Sequence, residues 1–172
     1  MKNHQTLLNI YSTLKSSGIK HKLVFIGDGE KRAEIEQQIK NLNLENDCLL
    51  LGEIKNPYPF IKHADLFVHT SKQEGLPTVL LESMACGTPV VAMACPTGPR
   101  DILGKNSEFG KLIPMNDNDS FVEAVIELLM NKEIHQHYQE KSLQRIKDFS
   151  MDKISTELEQ LLFNVIKEHR QI

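Results

Sequence analysis

Two short apolar runs, Leu66-Phe67-Val68 and Val90-Val91-Ala92-Met93, are joined by a polar glycine loop, a helix-length segment and a Gly87-Thr88-Pro89 turn. Strand, loop, helix and strand in that order form a crossover unit, which calls for a parallel sheet. The loop is Glu74-Gly75-Leu76-Pro77, and the helical segment sets Val79, Leu80, Leu81, Met84 and Ala85 around one acid, Glu82. In such a unit the helix starts beyond the carboxyl end of the first strand. Its unpaired N–H groups and its dipole favour an anion there. Residues 70–100 are therefore the candidate binding region.

The alternation continues on both sides. Leu7, Leu8, Ile10, Tyr11 and Leu14 recur at helical intervals over residues 3–17, and Gly18 marks the stop. Residues 22–26 read as a buried strand ending in Gly27-Asp28-Gly29, and residues 30–42 as a charged helix with Ile35, Ile39 and Leu42 on one face. A strand over 48–51 ends at Gly52, Pro57 starts a short helix to residue 64, and 65–70 is the strand before the central loop. Beyond it come a helical turn at 100–103, a strand at 110–113 and a helix at 118–130, capped by Asn118 or Asp119. The remainder is helical, broken near Ser150, and its last segment carries Ile154, Leu158, Leu161, Leu162 and Val165. The expected class is α/β: a Rossmann-like parallel sheet covered by helices on both faces, forming one domain over residues 1–172.

Composition excludes more than it selects. A net charge of -3 gives no global attraction to nucleic acid or to an anionic membrane, and no apolar run approaches the roughly 20 residues of a membrane span. Three widely spaced cysteines, Cys48, Cys86 and Cys95, read as reduced thiols of a cytoplasmic protein. The histidines have no metal-ligand spacing; His135 and His137, two apart, point away from one another on a helix, so no metal is expected.

Within the central region, Glu82 is costly to bury among aliphatic neighbours unless it reaches a cleft or accepts hydrogen bonds. A bland alternative is a glutamate favoured by the helix dipole. Glu74 precedes Gly75, where a ligand can approach the backbone, while Leu76 and Thr78 can offer N–H groups and Pro77 fits the first helical turn. A solvated loop glutamate is its bland alternative. Gly27 and Gly29 flank a turn that lines a cleft; Arg32 stands where a dinucleotide fingerprint requires its third glycine. Arg100 follows the carboxyl end of the strand at 90–93 and is a candidate anion contact, or else a partner of Asp101.

The run Glu74-Gly75-Leu76-Pro77-Thr78-Val79-Leu80-Leu81-Glu82, followed by Gly87-Thr88-Pro89-Val90-Val91-Ala92, resembles the signature of the group 1 (family 4) glycosyltransferases. Phe25-Ile26-Gly27-Asp28-Gly29, Leu51-Gly52, Ala64-Asp65-Leu66-Phe67-Val68 and Ser71 extend the likeness over most of the chain. That resemblance implies a retaining, nucleotide-sugar-dependent enzyme of the GT-B fold, of which this would be the C-terminal half. It implies that Glu82 binds the ribose, that Glu74 is the catalytic-site residue on the donor sugar, and that amides over 75–78 hold the diphosphate. Glu53 and Ile54 would border the base. Lys2-Asn3 resembles the end of the family's lysine-bearing stretch, which makes Lys2 the phosphate-binding cation. The expected donor is a UDP-sugar or another nucleoside-diphosphate sugar, with no cofactor and no metal. The expected acceptor is a glycan or lipid-linked species bound through an amino-terminal domain.

The family's preceding arginine, its first strand and that acceptor domain are not in this sequence, so a fragment inactive by itself is expected. The resemblance places the full enzyme in the cytoplasm, at the inner face of the membrane, in surface-polysaccharide synthesis as a hexosyl- or N-acetylhexosaminyltransferase. A nucleotide-sugar epimerase of related fold and a non-catalytic partner subunit are the alternatives.

Overall fold

The computed structural model describes residues 2–169. Helix α1 (His4–Ser16) precedes strand β1 (Leu23–Phe25), α2 (Arg32–Asn41), β2 (Cys48–Leu50), α3 (Tyr58–His63) and β3 (Phe67–His69). Then follow α4 (Thr78–Ala85), β4 (Val90–Met93), α5 (Pro99–Leu103), β5 (Lys111–Ile113), α6 (Asn118–Met130) and α7 (Lys132–Arg145). A 3-10 turn (Ile146–Phe149) leads into the last helix, α8 (Met151–His169), so the break falls where Ser150 stands.

Strand β4 shows why the layers form. All four of its residues are buried, and successive side chains enter opposite cores. Val91 and Met93 join Leu8, Tyr11, Phe121 and Val125, between the sheet and helices α1, α2 and α6. Val90 and Ala92 join Leu80, Met84, Ile102 and Leu103, under α4 and α5. Helices thus cover both faces of a parallel sheet, as the alternation requires.

The sheet comes in two pieces. β3, β4 and β5 pair in that order, all parallel, with Phe67 opposite Val90 and Val91 opposite Lys111. β1 and β2 form a separate parallel pair, Leu23 opposite Cys48, closed at its end by a Gly27 N–H to Gly52 carbonyl bond of 2.7 Å. Leu23, Phe25 and Leu50 pack on the α1 side, while Val24 and Leu49 on the other face are exposed. Helical cover is therefore complete only over the three-stranded piece.

Local chemistry fixes several joints. The turn before β4 is held by Thr88, whose hydroxyl donates to the Ile61 carbonyl at 2.7 Å, and by Ser83, whose hydroxyl donates to the Thr88 carbonyl at 3.1 Å. Arg145 donates to the carbonyls of Asp101 and Ile102 and lies between the rings of Phe109 and Phe149, tying α7 to α5. Helix α6 is capped by Asp117, one residue earlier than Asn118 or Asp119. Its carboxylate accepts from the Ser120 amide at 3.0 Å and the Ser120 hydroxyl at 2.8 Å. Leu158 and Leu161 of α8 are exposed.

Candidate nucleotide-sugar site

A cleft of about 2020 Å³ opens between β1 and β3, under the amino end of α1. Lys2, Gly27, Gly29 and Glu82, four of the residues singled out from sequence, line it together with His69 and Ser71. Chain topology brings them there: Gly27 and Gly29 follow the carboxyl end of β1, His69 to Ser71 that of β3, and Glu82 sits one turn into α4. This is the edge at which open parallel sheets bind ligands.

Glu74 is outside the cleft lining but contacts two residues of it. Lys2 Nζ approaches its Oε1 to 2.9 Å, and His69 Nε2 lies 3.3 Å from the same oxygen. The Glu74 side chain is 15% exposed and that of Lys2 53%. Desolvation by burial opposes ionisation of Glu74, but hydrogen bonds from Ser71 and Lys2 and the charges of Lys2 and His69 outweigh it, and the carboxyl falls to about 2. At neutral pH it is a permanent acceptor, suited to a sugar hydroxyl and unsuited to donating a proton. Burial lowers the His69 pKa, partly offset by Glu74; this favours the neutral ring at neutral pH and leaves its charge to act on Glu74 only in acid. An Nε2–H tautomer satisfies the carboxylate and leaves Nδ1, which is buried and unpartnered, as a lone-pair site. Ser71 Oγ is also buried without a hydrogen bond of ordinary geometry.

The loop that carries Glu74 is braced from behind. Thr97 Oγ1 donates to the Glu74 carbonyl, and Gly98, at φ +91°, packs against the same loop. A Cβ on Gly98 would collide with Pro77 Cδ and stand 2.5 Å from the Gly75 carbonyl oxygen. Only glycine lets the two loops meet. Helix α4 begins without a side-chain cap and without an acid in its first turn. The Thr78 and Val79 amides have no recorded acceptor among the described residues, leaving a polarised N-terminus beside Gly75 and Leu76. Glu82, half-buried, makes no recorded side-chain hydrogen bond or ion pair among the described residues. It is a free carboxylate on the cleft wall.

Glu74, Gly75, Leu76, Pro77 and Thr78 adjoin the cleft through Lys2, His69 and Val79 but are not in its lining, and the remaining candidates lie elsewhere. Glu53 is exposed and Ile54 half-buried, both just past Gly52 and outside the cleft lining. Arg100 is exposed in α5, also outside the lining, and forms no recorded ion pair with Asp101. Arg32, where the dinucleotide fingerprint has glycine, links the glycine turn to the sheet: it lies 3.7 Å from Asp28 and donates to the Leu50 carbonyl at 3.4 Å. His69 is the site residue that sequence reasoning missed. A histidine ending a buried parallel strand, five residues before a loop glutamate, was the available signal.

No group of three or more potential metal ligands occurs among the described residues, and no described helix is long and apolar enough to cross a membrane.

Comparison with known proteins agrees with the geometry. The family model described as "Glycosyl transferases group 1" matches residues 1–145. A Campylobacter jejuni protein named N-acetylgalactosamine-N,N'-diacetylbacillosaminyl-diphospho-undecaprenol 4-alpha-N-acetylgalactosaminyltransferase is 35% identical over 154 residues, 90% of this chain and 41% of its own length. The amylovoran biosynthesis glycosyltransferase AmsD of Erwinia amylovora is 28% identical over 89% of this chain and 42% of its own length. Among solved structures, S. aureus TarM, in a complex that includes UDP, superposes with a TM-score of 0.86 at 24% identity, over 93% of this chain and 32% of that one. The chain thus spans about two fifths of the curated relatives it matches. Its fold is that of one Rossmann-like half of a GT-B glycosyltransferase. The chain belongs to the group 1 glycosyl transferases.

Proposed function

We propose that this chain is the donor-binding domain of a retaining glycosyltransferase that draws on a nucleoside-diphosphate sugar, with UDP as the nucleotide. The observation that carries the reading is the uncapped amino end of α4, one turn before a Glu82 that lines the cleft and has no recorded partner among the described residues, together with a Lys2–Glu74 pair whose lysine lines the same cleft. A diphosphate fits amides at a helix start, whose dipole is otherwise uncompensated there. Glu82, with no recorded partner among the described residues, is available to accept hydrogen bonds from two ribose hydroxyls. Glu74, ionised throughout the neutral range, accepts from the sugar. Lys2 is within reach of the same place and would turn from Glu74 to the phosphates, offsetting charge as the C1–O bond to the diphosphate breaks. The bond electrons leave with the diphosphate. The acceptor oxygen joins C1 on the face the diphosphate vacates, and its proton passes to a phosphate oxygen. Glu53 and Ile54 are assigned to the border of the base and Arg100 to a peripheral anion contact. None of these steps needs a metal.

The relatives' printed names support a bacterial surface-glycan setting, with a lipid-linked or polysaccharide acceptor and a hexosyl or N-acetylhexosaminyl donor. In keeping with such acceptors, the proposed location of the whole enzyme is the cytoplasm, at the inner membrane face. The acceptor would be held by a further domain, and this chain alone binds donor without transferring it. Calorimetric titration of UDP into the wild-type chain and into Glu82→Ala tests the assignment. Loss of a charged hydrogen-bond acceptor should weaken UDP about tenfold. Equal affinity of the two proteins would remove Glu82 from the site.

A further inference from the structure

The two groups that meet on Glu74 Oε1 differ in how firmly each is held. Lys2 Nζ, at 2.9 Å, ends a flexible side chain that is half-exposed. His69 Nε2, at 3.3 Å, belongs to a buried ring. His69 closes β3, where it pairs with Ala92 of β4, so its backbone is held in the three-stranded sheet. Glu74 is fixed only at its base. Its carbonyl accepts from Thr97 Oγ1, which sets the loop, but several rotatable bonds separate that backbone from the carboxylate. Ser71 Oγ, buried close by, makes no hydrogen bond of ordinary geometry and does not fix either oxygen. The direction of the carboxylate therefore depends on Lys2 and His69. Packing gives no reason for a histidine here. An aliphatic residue would suit the end of a buried strand and leave no polar atom unpaired. Instead Nδ1 is buried with no partner, and Nε2 meets only the carboxylate. An Nδ1–H tautomer would bury a donor without an acceptor and set the Nε2 lone pair against Oε1. The Nε2–H tautomer avoids both.

We propose that His69 is a positioning residue: its Nε2–H holds Glu74 Oε1, so that Oε2 stays turned toward the donor sugar after Lys2 has moved to the phosphates. This deepens the donor-site reading and rests on it. In that reading Lys2 serves two partners in turn, and the donor complex is the state in which Glu74 has lost its cation. A carboxylate with no other grip would then rotate freely about its side-chain bonds, and ordering it again would weaken the contact to the sugar. His69 keeps one oxygen engaged throughout. Oε2 has no recorded hydrogen bond or ion pair among the described residues, so it remains open to a hydroxyl. Being neutral at neutral pH, the ring orients the carboxylate without cancelling the charge that makes it a strong acceptor. A donor borne on a buried strand serves this end better than one on an exposed, flexible stem.

Nuclear magnetic resonance of the 172-residue chain at pH 7.5 tests the grip without any ligand. With nitrogen-15 in the histidines, His69 should show a protonated Nε2, a bare Nδ1 and slow exchange of the Nε2 proton. Lys2→Met should leave that exchange within about twofold of wild type, and Glu74→Ala should speed it about tenfold or more. Calorimetry then tests the consequence. UDP is compared with UDP-glucose, UDP-galactose and their N-acetyl forms, and the readout is the Kd of UDP divided by that of the tightest of these donors. His69→Leu should lower the ratio about fivefold or more. His69→Gln, whose side-chain amide can donate in place of Nε2–H, should restore most of it. A histidine that only fills space predicts the reverse order, since leucine suits an apolar site better than glutamine. Urea melts check that both variants are folded. An Nδ1–H ring, loss of the slow Nε2 proton in Lys2→Met, a wild-type ratio near one, or a ratio kept by Leu and lost by Gln would overturn the proposal. Failure of wild type to bind UDP at all sinks the donor-site reading instead, and the exchange measurement still decides whether His69 grips Glu74.

Discussion

Glu74→Gln tests the electrostatics of the Lys2–Glu74–His69 cluster. The wild-type carboxyl falls from 4.5 to about 2 on folding, since Ser71, Lys2 and His69 overcome its desolvation. A group whose folded pKa is depressed adds stability above its unfolded pKa and loses it as pH falls through the folded one. The window therefore runs from about pH 4.5 down to about pH 2. A shift of that size corresponds to at most about 3 kcal/mol over the full window. Roughly half is lost by pH 3.5. Because Lys2 is half-exposed, water and salt screen the pair, and about 1 kcal/mol of pH-dependent stability is the figure to expect at low ionic strength. Glutamine keeps the shape and cannot titrate. Urea unfolding of both proteins at pH 7 and pH 3.5 supplies the assay, with the other carboxylates cancelling in the difference. The stability gap between wild type and variant should shrink by about 0.5 kcal/mol at the lower pH. An equal gap at both pH values would refute the claim that Glu74 is held ionised by its neighbours.

Other consequences can be read more briefly. Gly98→Ala combines a positive φ with contact against Pro77 and Gly75, so it should cost about 2 kcal/mol or more in urea melts and displace the Glu74 loop. Phe121→Ala empties a fully buried site between α6 and β4 and should cost about 3–5 kcal/mol. His69 has a folded pKa below its ordinary 6.5, so it adds stability above pH 6.5 that is lost as pH falls below it. In His69→Gln the fall in melting temperature between pH 7 and 5 should be smaller than in wild type.

Much of this architecture is legible because it rests on period. The residues of β4 are all apolar and flanked by a turn and a loop, so strand and bounds coincide with expectation. The break at Ser150 and the core face of α6 follow in the same way from periodicity. The α6 cap was less legible, since Asp117, Asn118 and Asp119 are all capping residues and the entry angle of the chain decides among them. The two-piece sheet was not legible, because pairing partners are set by tertiary placement and both pieces have the same strand pattern. At the site, Glu82, Gly27 and Gly29 could be read from position relative to strand ends. The Lys2–Glu74–His69 cluster could not, because it joins residues 72 apart, and a lone histidine on an apolar strand reads as core.

The central claim is that a nucleoside diphosphate binds at the start of α4 beside Glu82. Titration of UDP into isotope-labelled protein, followed residue by residue by amide chemical shift, tests it most directly. Saturable shifts centred on Gly75, Leu76, Thr78 and Val79, with smaller ones at Gly27 and Gly29, are the predicted result. No saturable shift up to about 10 mM UDP, or saturable shifts that leave Gly75, Leu76, Thr78 and Val79 unmoved, would contradict the account.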